Sequence, residues 1–216
     1  GLREAASNIK RAVAADWVRL LEQFEDNVTK RGGVVHWARD AEEANAIALN
    51  LISAKGVDEV VKVKSMATQE INLNEHLEEH GIKAWETDLA EMIVQLSEDM
   101  PSHIVVPAIH RNRAEVKAIF EARMEEAQGL SDEPRVLAMA ARAHLRKKFL
   151  TAKVALSGAN IGVAETGTVG IFESEGNGRM CLTLPETLIT IMGIEKLVPR
   201  YRDIEVIGQL LPRSAT

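Results

Sequence analysis

The chain has 216 residues, a net charge of −6, 46% hydrophobic and 4% aromatic residues, and one cysteine. That length suits one large domain with an adequate core, built here mostly from Ala, Val, Ile and Leu. The acidic balance, without a basic patch interleaved with aromatics, argues against nucleic acid. No apolar run reaches the roughly 18 residues of a membrane span, and no signal-peptide pattern opens the chain. Cys181 alone rules out an internal disulfide or a cysteine-ligated cluster within these residues. Together these features predict a reduced, cytoplasmic setting. Gly1 reads as an expression remnant and Thr216 as an abrupt end, so an excised domain is expected.

In chain order, Ile9, Val13, Trp17, Leu20, Leu21, Phe24 and Val28 recur at helical spacing, predicting a helix over residues 2–31 that Gly32-Gly33 stops. This helix is read as an N-terminal extension, residues 1–31, to an α/β domain over 32–216. Val34 to Trp37 reads as a short strand, and Asp40 opens a helix to about Lys55. Strands are expected over 59–63, 82–85 and 103–106, with helices over 68–80, 88–96, 112–127 and 134–151. Strands separated by helices of this length imply right-handed βαβ crossovers and a mainly parallel sheet with flanking helices. After residue 152 the pattern becomes hairpin-rich. VALSG, IGVAE, TVGIFES and MCLTL read as strands, and Asn177-Gly178 reads as a hairpin turn. A further apolar run, Leu188 to Met192, precedes a terminal helix near 199–208.

Several strand ends carry groups with chemical potential. Ligands in open parallel sheets bind beyond the carboxyl ends of the strands. Lys64 and Ser65 follow the second strand, where Ser65 and Thr68 suit a helix cap and Lys64 suits an anion. A plain cap with exposed lysines explains the same letters. Glu86 and Asp88 follow the third strand. Asp88 with Glu91 outlines a capping box, which accounts for Asp88 and leaves Glu86 unexplained. His110 ends the fourth strand, although a lone histidine is more often structural. His76-Leu77-Glu78-Glu79-His80 matches a zinc signature, yet the segment is polar and His80 precedes a helix-ending glycine. No metal is expected there. The basic run from Arg135 to Lys153 reads as a solvated face.

The segment 157–185 packs glycines among carboxylates and hydroxyls. Glycine weakens strands and serves turns or close backbone approach. Glu165, Glu173 and Glu175 are candidate bases or nucleophiles there, since a carboxyl in a desolvated corner has a raised pKa. Glu195-Lys196 adds a charged pair. A tight hairpin domain whose glycines only serve turns is the competing reading.

Taken in order, VKVKSMATQEINLNEHLEEHGI, WETDLAE, PSHIVVPAIH, GANIGVAETGTVGIFESEGNGR, LPETLITIMGIEKLVP and LLPRSAT resemble the lactate-utilisation (LUD) domain family. The resemblance runs from about Glu22 to Thr216 and is strongest to the branch found in iron–sulfur subunits of bacterial L-lactate oxidation complexes. It implies a fold similar to ribose-5-phosphate isomerase, glucosamine-6-phosphate deaminase and the CoA transferases. It further implies a part in electron transport from lactate to pyruvate, with other subunits as partners and [4Fe–4S] clusters in a C-terminal ferredoxin-like domain absent from this chain. No cofactor is expected in these residues. Carried over by motif, the catalytic candidates are Glu165, Glu175 and His110. The ligand-binding candidates are Lys64, Ser65, Glu86, Asp88, Asn160, Thr166, Asn177, Arg179, Glu195 and Lys196. Ala90 stands where such domains often have glycine in ETDLGE, and Ser174-Glu175-Gly176-Asn177 where they often have NEGN. Three roles fit: binding a small anionic ligand or organising subunits within the complex, a stand-alone isomerase or CoA-transferase-like enzyme using Glu165 or Glu175, or a pure scaffold. Lys64, Glu86, His110, Glu165 and Glu175 are expected to share one pocket.

Overall fold

The computed structural model describes residues 1–104 and 106–214, which divide into two compact units. One comprises 41–157 and 173–190; the other comprises 1–40, 158–172 and 191–216, of which 215 and 216 lie outside the described residues.

The first unit is an α/β layer around a four-stranded sheet. Helix α3 (Ala41–Ser53) precedes strand β1 (Glu59–Lys62), helices α4 (Met66–Glu70) and α5 (Leu73–Glu79), and strand β2 (Lys83–Glu86). The chain then runs through α6 (Leu89–Ser97), α7 (Arg113–Arg123) and α8 (Pro134–Thr151) to β3 (Val154–Gly158), then α9 (Asn177–Thr183) and β6 (Thr187–Ile191). The strand order is β2-β1-β3-β6, with β1 parallel to both β2 and β3. The chain steps from β1 outward to β2 and then returns across β1 to β3. A reversal of this kind is where such sheets place their sites. Apolar side chains on α6, α7 and α8, among them Met92, Phe120 and Leu145, form one core cluster. Val61, Val63, Ala155 and Cys181 form another.

The second unit holds α1 (Leu2–Ala15), α2 (Trp17–Thr29), α10 (Asp203–Ser214) and a three-stranded sheet of order β5-β4-β7. Here β4 (Ile161–Val163) pairs antiparallel with β5 (Thr168–Gly170) and parallel with β7 (Leu197–Val198). Val13, Leu20 and Phe24 pack with Ala164 and Leu197.

The parallel sheet and its flanking helices agree with the sequence reading, and several details differ. The helix expected over 2–31 breaks at Asp16, whose φ of −141° is not helical. Asn72, left-handed at φ 52°, splits the helix expected over 68–80. Residues 34–37 form no strand: Val34 is exposed and the Trp37 indole donates to Glu25 at 3.0 Å. In the strand expected over 103–106, residue 105 lies outside the described residues, and 103, 104 and 106 are bends. There the Ser102 N–H bonds the Pro107 carbonyl and the Val106 N–H bonds His103, closing a turn in place of a ladder. MCLTL is helical and Asn177-Gly178 opens α9, so the expected hairpin turn is a helix start. Glu173 caps it by accepting from the Gly178 N–H at 3.1 Å. Of the late strands, β3 and β6 join the parallel sheet, while the β4–β5 hairpin belongs to the other unit.

Two glycines test this backbone. At Gly167 (φ +66°) a Cβ would sit 2.6 Å from the Val28 nitrogen and 2.7 Å from the Asn27 carbonyl carbon. At Gly176 (φ +84°) it would meet nothing within 4 Å. Gly176→Ala is therefore expected to cost only the left-handed penalty of about 1–2 kcal/mol. Gly167→Ala should cost clearly more in chemical denaturation followed by circular dichroism; equal losses would contradict the packing of that turn.

Candidate functional site

Parallel register places Lys62 opposite Glu86, with Val60 and Ala84 on the same face; Glu59, Val61, Lys83 and Trp85 take the other face. Lys62 and Glu86 have side-chain exposures of 0% and 5%, and Lys62 Nζ lies 2.5 Å from Glu86 Oε1. A buried charge is tolerated when it is paired and hydrogen-bonded. The surroundings meet that demand in part. Asn74 on α5 donates to Glu86 Oε1 at 2.8 Å, and the Glu86 N–H donates to Gln95, whose amide in turn donates to the Ala84 carbonyl. The Thr87 hydroxyl donates to the Lys62 carbonyl at 2.7 Å, tying the end of β2 to that of β1.

Beyond this pair the strand ends are densely polar. Ser65 caps α4 by accepting from the Thr68 N–H. Asp88 caps α6, its Oδ1 accepting from Ala90 N at 3.0 Å and Glu91 N at 3.1 Å. Glu91 does not return the reciprocal bond of a capping box; its carboxylate takes the Gln69 amide at 3.1 Å and lies 3.4 Å from Lys64 Nζ. Glu175 reaches the same place and hydrogen-bonds Asp88. Desolvation, then the Asp88 charge and that bond, raise the Glu175 carboxyl above its ordinary value, with Lys64 opposing. Glu175 stays exposed, so the Asp88 contact is the cause with chemical weight: two adjacent carboxyls do not both ionise readily. Asn177 donates to the Thr87 hydroxyl at 3.2 Å, which brings the start of α9 to the end of β2. Burial pushes the Cys181 thiol up to about 11, so it is an unreactive core group beside Thr87.

The structure thus brings together Lys64, Ser65, Glu86, Asp88, Glu175 and Asn177 of the expected residues. Arg179 is exposed on α9. His110 belongs to a different cluster, bonded to Asp99 at 2.8 Å and Ser102 at 2.7 Å. The bond from His110, the Met100 N–H and Arg111 hold Asp99 at about 2. Glu165, Asn160, Thr166, Glu195 and Lys196 lie in the other unit. There Glu165 accepts from the Tyr201 N–H, Asn160 accepts from the Phe172 N–H, and Thr166 bonds Thr168. Glu195 pairs with Lys196 at 3.4 Å. Sequence reasoning missed Lys62, Asn74 and Thr87. The one available signal was a lysine inside EVVKV, an apolar strand bound for the sheet interior.

A hollow of about 220 Å³ beside α8 is lined by Arg123, Lys147 and Lys148 among others, but those cations are matched by Glu98, Glu126 and Glu59. His76 and His80 stack at 4.7 Å, and no group of three or more His, Cys, Asp or Glu in metal-holding geometry occurs among the described residues. Nor is any described helix long and apolar enough to cross a membrane.

A parallel sheet with polar groups gathered at its carboxyl edge defines an α/β protein with a candidate site at its strand ends. The model of the LUD domain family matches residues 21–216, and the chain belongs to that family. It is 45% identical to lactate utilization protein B of Bacillus velezensis and 44% identical to that of Bacillus subtilis, each over 214 residues, 99% of this chain and 44% of the relative. The protein of the same name from Exiguobacterium is 45% identical over 213 residues. The chain therefore spans under half the length of these relatives. No solved structure matches it.

Two predictions follow from the site's electrostatics. Lys62→Met or Glu86→Leu alone leaves a buried unmatched charge and should cost about 3–5 kcal/mol, whereas the double replacement should recover most of it. Additive losses in urea denaturation would contradict the pairing. A carboxyl raised above 4.5 holds its proton longer in the native state than in the unfolded chain. Stability should accordingly fall as pH rises from 4.5 through the raised value. Glu175→Gln should flatten that decline in pH-dependent melting; an unchanged profile would remove the Asp88–Glu175 interaction.

Proposed function

We propose that this chain is the LUD portion of an iron–sulfur subunit in a complex that oxidises L-lactate to pyruvate. In that complex its strand-end site holds a small anionic ligand and helps organise the neighbouring subunits. The relatives named for lactate utilization support the setting. The observation that carries the binding role is Lys64 among Ser65, Asp88 and Glu91 at the carboxyl edge of the sheet. A lysine beside the start of a capped helix suits a carboxylate or phosphate, and the surrounding acids and amides suit its polar substituents.

The [4Fe–4S] clusters of such a subunit do not fit the residues present. Four thiolates are needed and the chain has one cysteine, buried and protonated at neutral pH. Electron transfer therefore belongs to other parts of the assembly, and no redox step is assigned to this chain's residues.

A second reading, an isomerase or CoA-transferase-like activity, is favoured by the Asp88–Glu175 carboxyl pair. A carboxyl with a raised pKa beside a carboxylate is suited to passing a proton. Of the two glutamates considered for that role, Glu175 has the suitable surroundings, since Glu165 is committed to the Tyr201 N–H.

Ligand-dependent melting separates these readings from a scaffold. L-lactate or pyruvate at 100 times its dissociation constant should stabilise the fold by about 2.7 kcal/mol. Lys64→Ala should remove that gain, read against the variant's own unliganded melting temperature, which should fall because the lysine is only 22% exposed and lies 3.4 Å from the buried Glu91 carboxylate. A flat response to lactate, pyruvate, phosphate, sugar phosphates and CoA would favour the scaffold.

A further inference from the structure

The basic run on α8 is solvated, as its sequence suggests, but its cations differ in what they meet. Lys147 and Lys148 are paired within the unit, with Glu126 and Glu59. Arg135, Arg142 and Arg146 are exposed, and their side chains make no ion pair or hydrogen bond among the described residues. Spacings of seven and four put these three residues in one row along the helix, about 16 Å from first to last. Met139 and Leu150 fall in the same row and are 51% and 62% exposed. Beside Met139 runs an apolar groove of about 370 Å³, whose walls include Leu130, Val136 and Ala140. The two acids along it are already engaged. Glu126 accepts from Lys147 and His144, and Glu133 caps α8 through the Val136 N–H. The groove therefore offers apolar surface, and the row beside it offers unmatched positive charge, on a chain whose net charge is −6.

We propose that this face of α8 is a docking surface for an acidic segment of a partner protein. Carboxylates of the segment meet Arg135, Arg142 and Arg146, and an apolar side chain enters the groove beside Met139. Charge complementarity selects the occupant. Arginine presents a planar fork that matches a carboxylate with two parallel hydrogen bonds, and arginine and methionine are among the residues that protein interfaces favour. A second copy of this chain does not fit, because a two-fold contact through this face would set arginine against arginine. Nucleic acid finds no aromatic side chain in the row on which its bases could stack. An anionic lipid surface calls for a denser cluster of roughly four to eight cations. None of the strand-end residues takes part, so the surface stands independently of the ligand proposed for that site.

The test is fluorescence anisotropy of a labelled helical peptide titrated with the protein. The peptide carries glutamates at the spacing of Arg135, Arg142 and Arg146 and one leucine among them. The expected result is saturable binding that weakens with added salt, is lost when glutamines replace the glutamates, and falls about tenfold or more in Arg142→Glu/Arg146→Glu. A peptide with lysines in place of the glutamates should bind that variant better than it binds the unaltered protein. Met139→Ser should weaken binding and leave its salt dependence unchanged. Equal binding by the unaltered protein and the arginine variant, or no difference between the glutamate and glutamine peptides, would overturn the docking surface. So would binding of single-stranded DNA or phosphatidylserine vesicles in place of the peptide, or a concentration-dependent dimer that the arginine variant abolishes. The substituted side chains are exposed, so both variants should keep the circular dichroism and melting temperature of the unaltered protein. Should the arginine variant fail to fold, the contrast between the glutamate and glutamine peptides decides alone.

Discussion

The buried Lys62–Glu86 pair is the constraint on which the site depends. Two charges enclosed between β1 and β2 fix the register of those strands, because a slip of one residue would turn both side chains to the other face of the sheet. The pair also recruits its neighbours. Asn74 approaches Glu86 from α5, Gln95 meets the Glu86 backbone from α6, and Thr87 closes on the Lys62 carbonyl. Replaced by apolar residues, this contact would hold the sheet equally well.

Around that contact the two faces of the sheet do different work. Trp85, on the face opposite Glu86, lies between the Lys83 and Lys148 ammonium groups at 4.1 and 4.0 Å and donates to Glu59. On that side Lys148 also pairs with Glu59 at 2.8 Å. On the Lys62 side, Glu86 Oε2 and Asn74 Oδ1 are buried without a donor among the described residues.

Much of the first unit was legible in sequence because its signals are local. EVVKV and IKAW are short apolar runs, and Asp88, Asn112 and Pro134 mark helix starts that the structure uses. The failures came where distant contacts override local preference. Asn177-Gly178 has hairpin letters, yet Glu173 is placed to cap a helix and Cys181 packs against Val61 and Ala155, which selects α9. HIVV has strand letters between Pro101 and Pro107, and its described residues follow a turn. At the site, strand-end position grouped Lys64, Glu86 and His110; Lys64 and Glu86 lie at the ends of β1 and β2, while His110 sits with Asp99 and Ser102. That criterion could not separate Glu165 from Glu175, since both sit in one glycine-rich stretch and the chain divides that stretch between two units. Lys62 and Asn74 lie inside a quoted motif without standing out from it, and they emerge only through their shared contact with the buried Glu86 carboxylate.

The central claim is that a small anion binds at the carboxyl ends of β1 and β2. An amide NMR titration with L-lactate tests it most directly. The account predicts perturbations concentrated at Lys64, Ser65, residues 87–91 and residues 175–178. Perturbations confined to the hollow beside α8, or to the unit that carries Glu165, would contradict it.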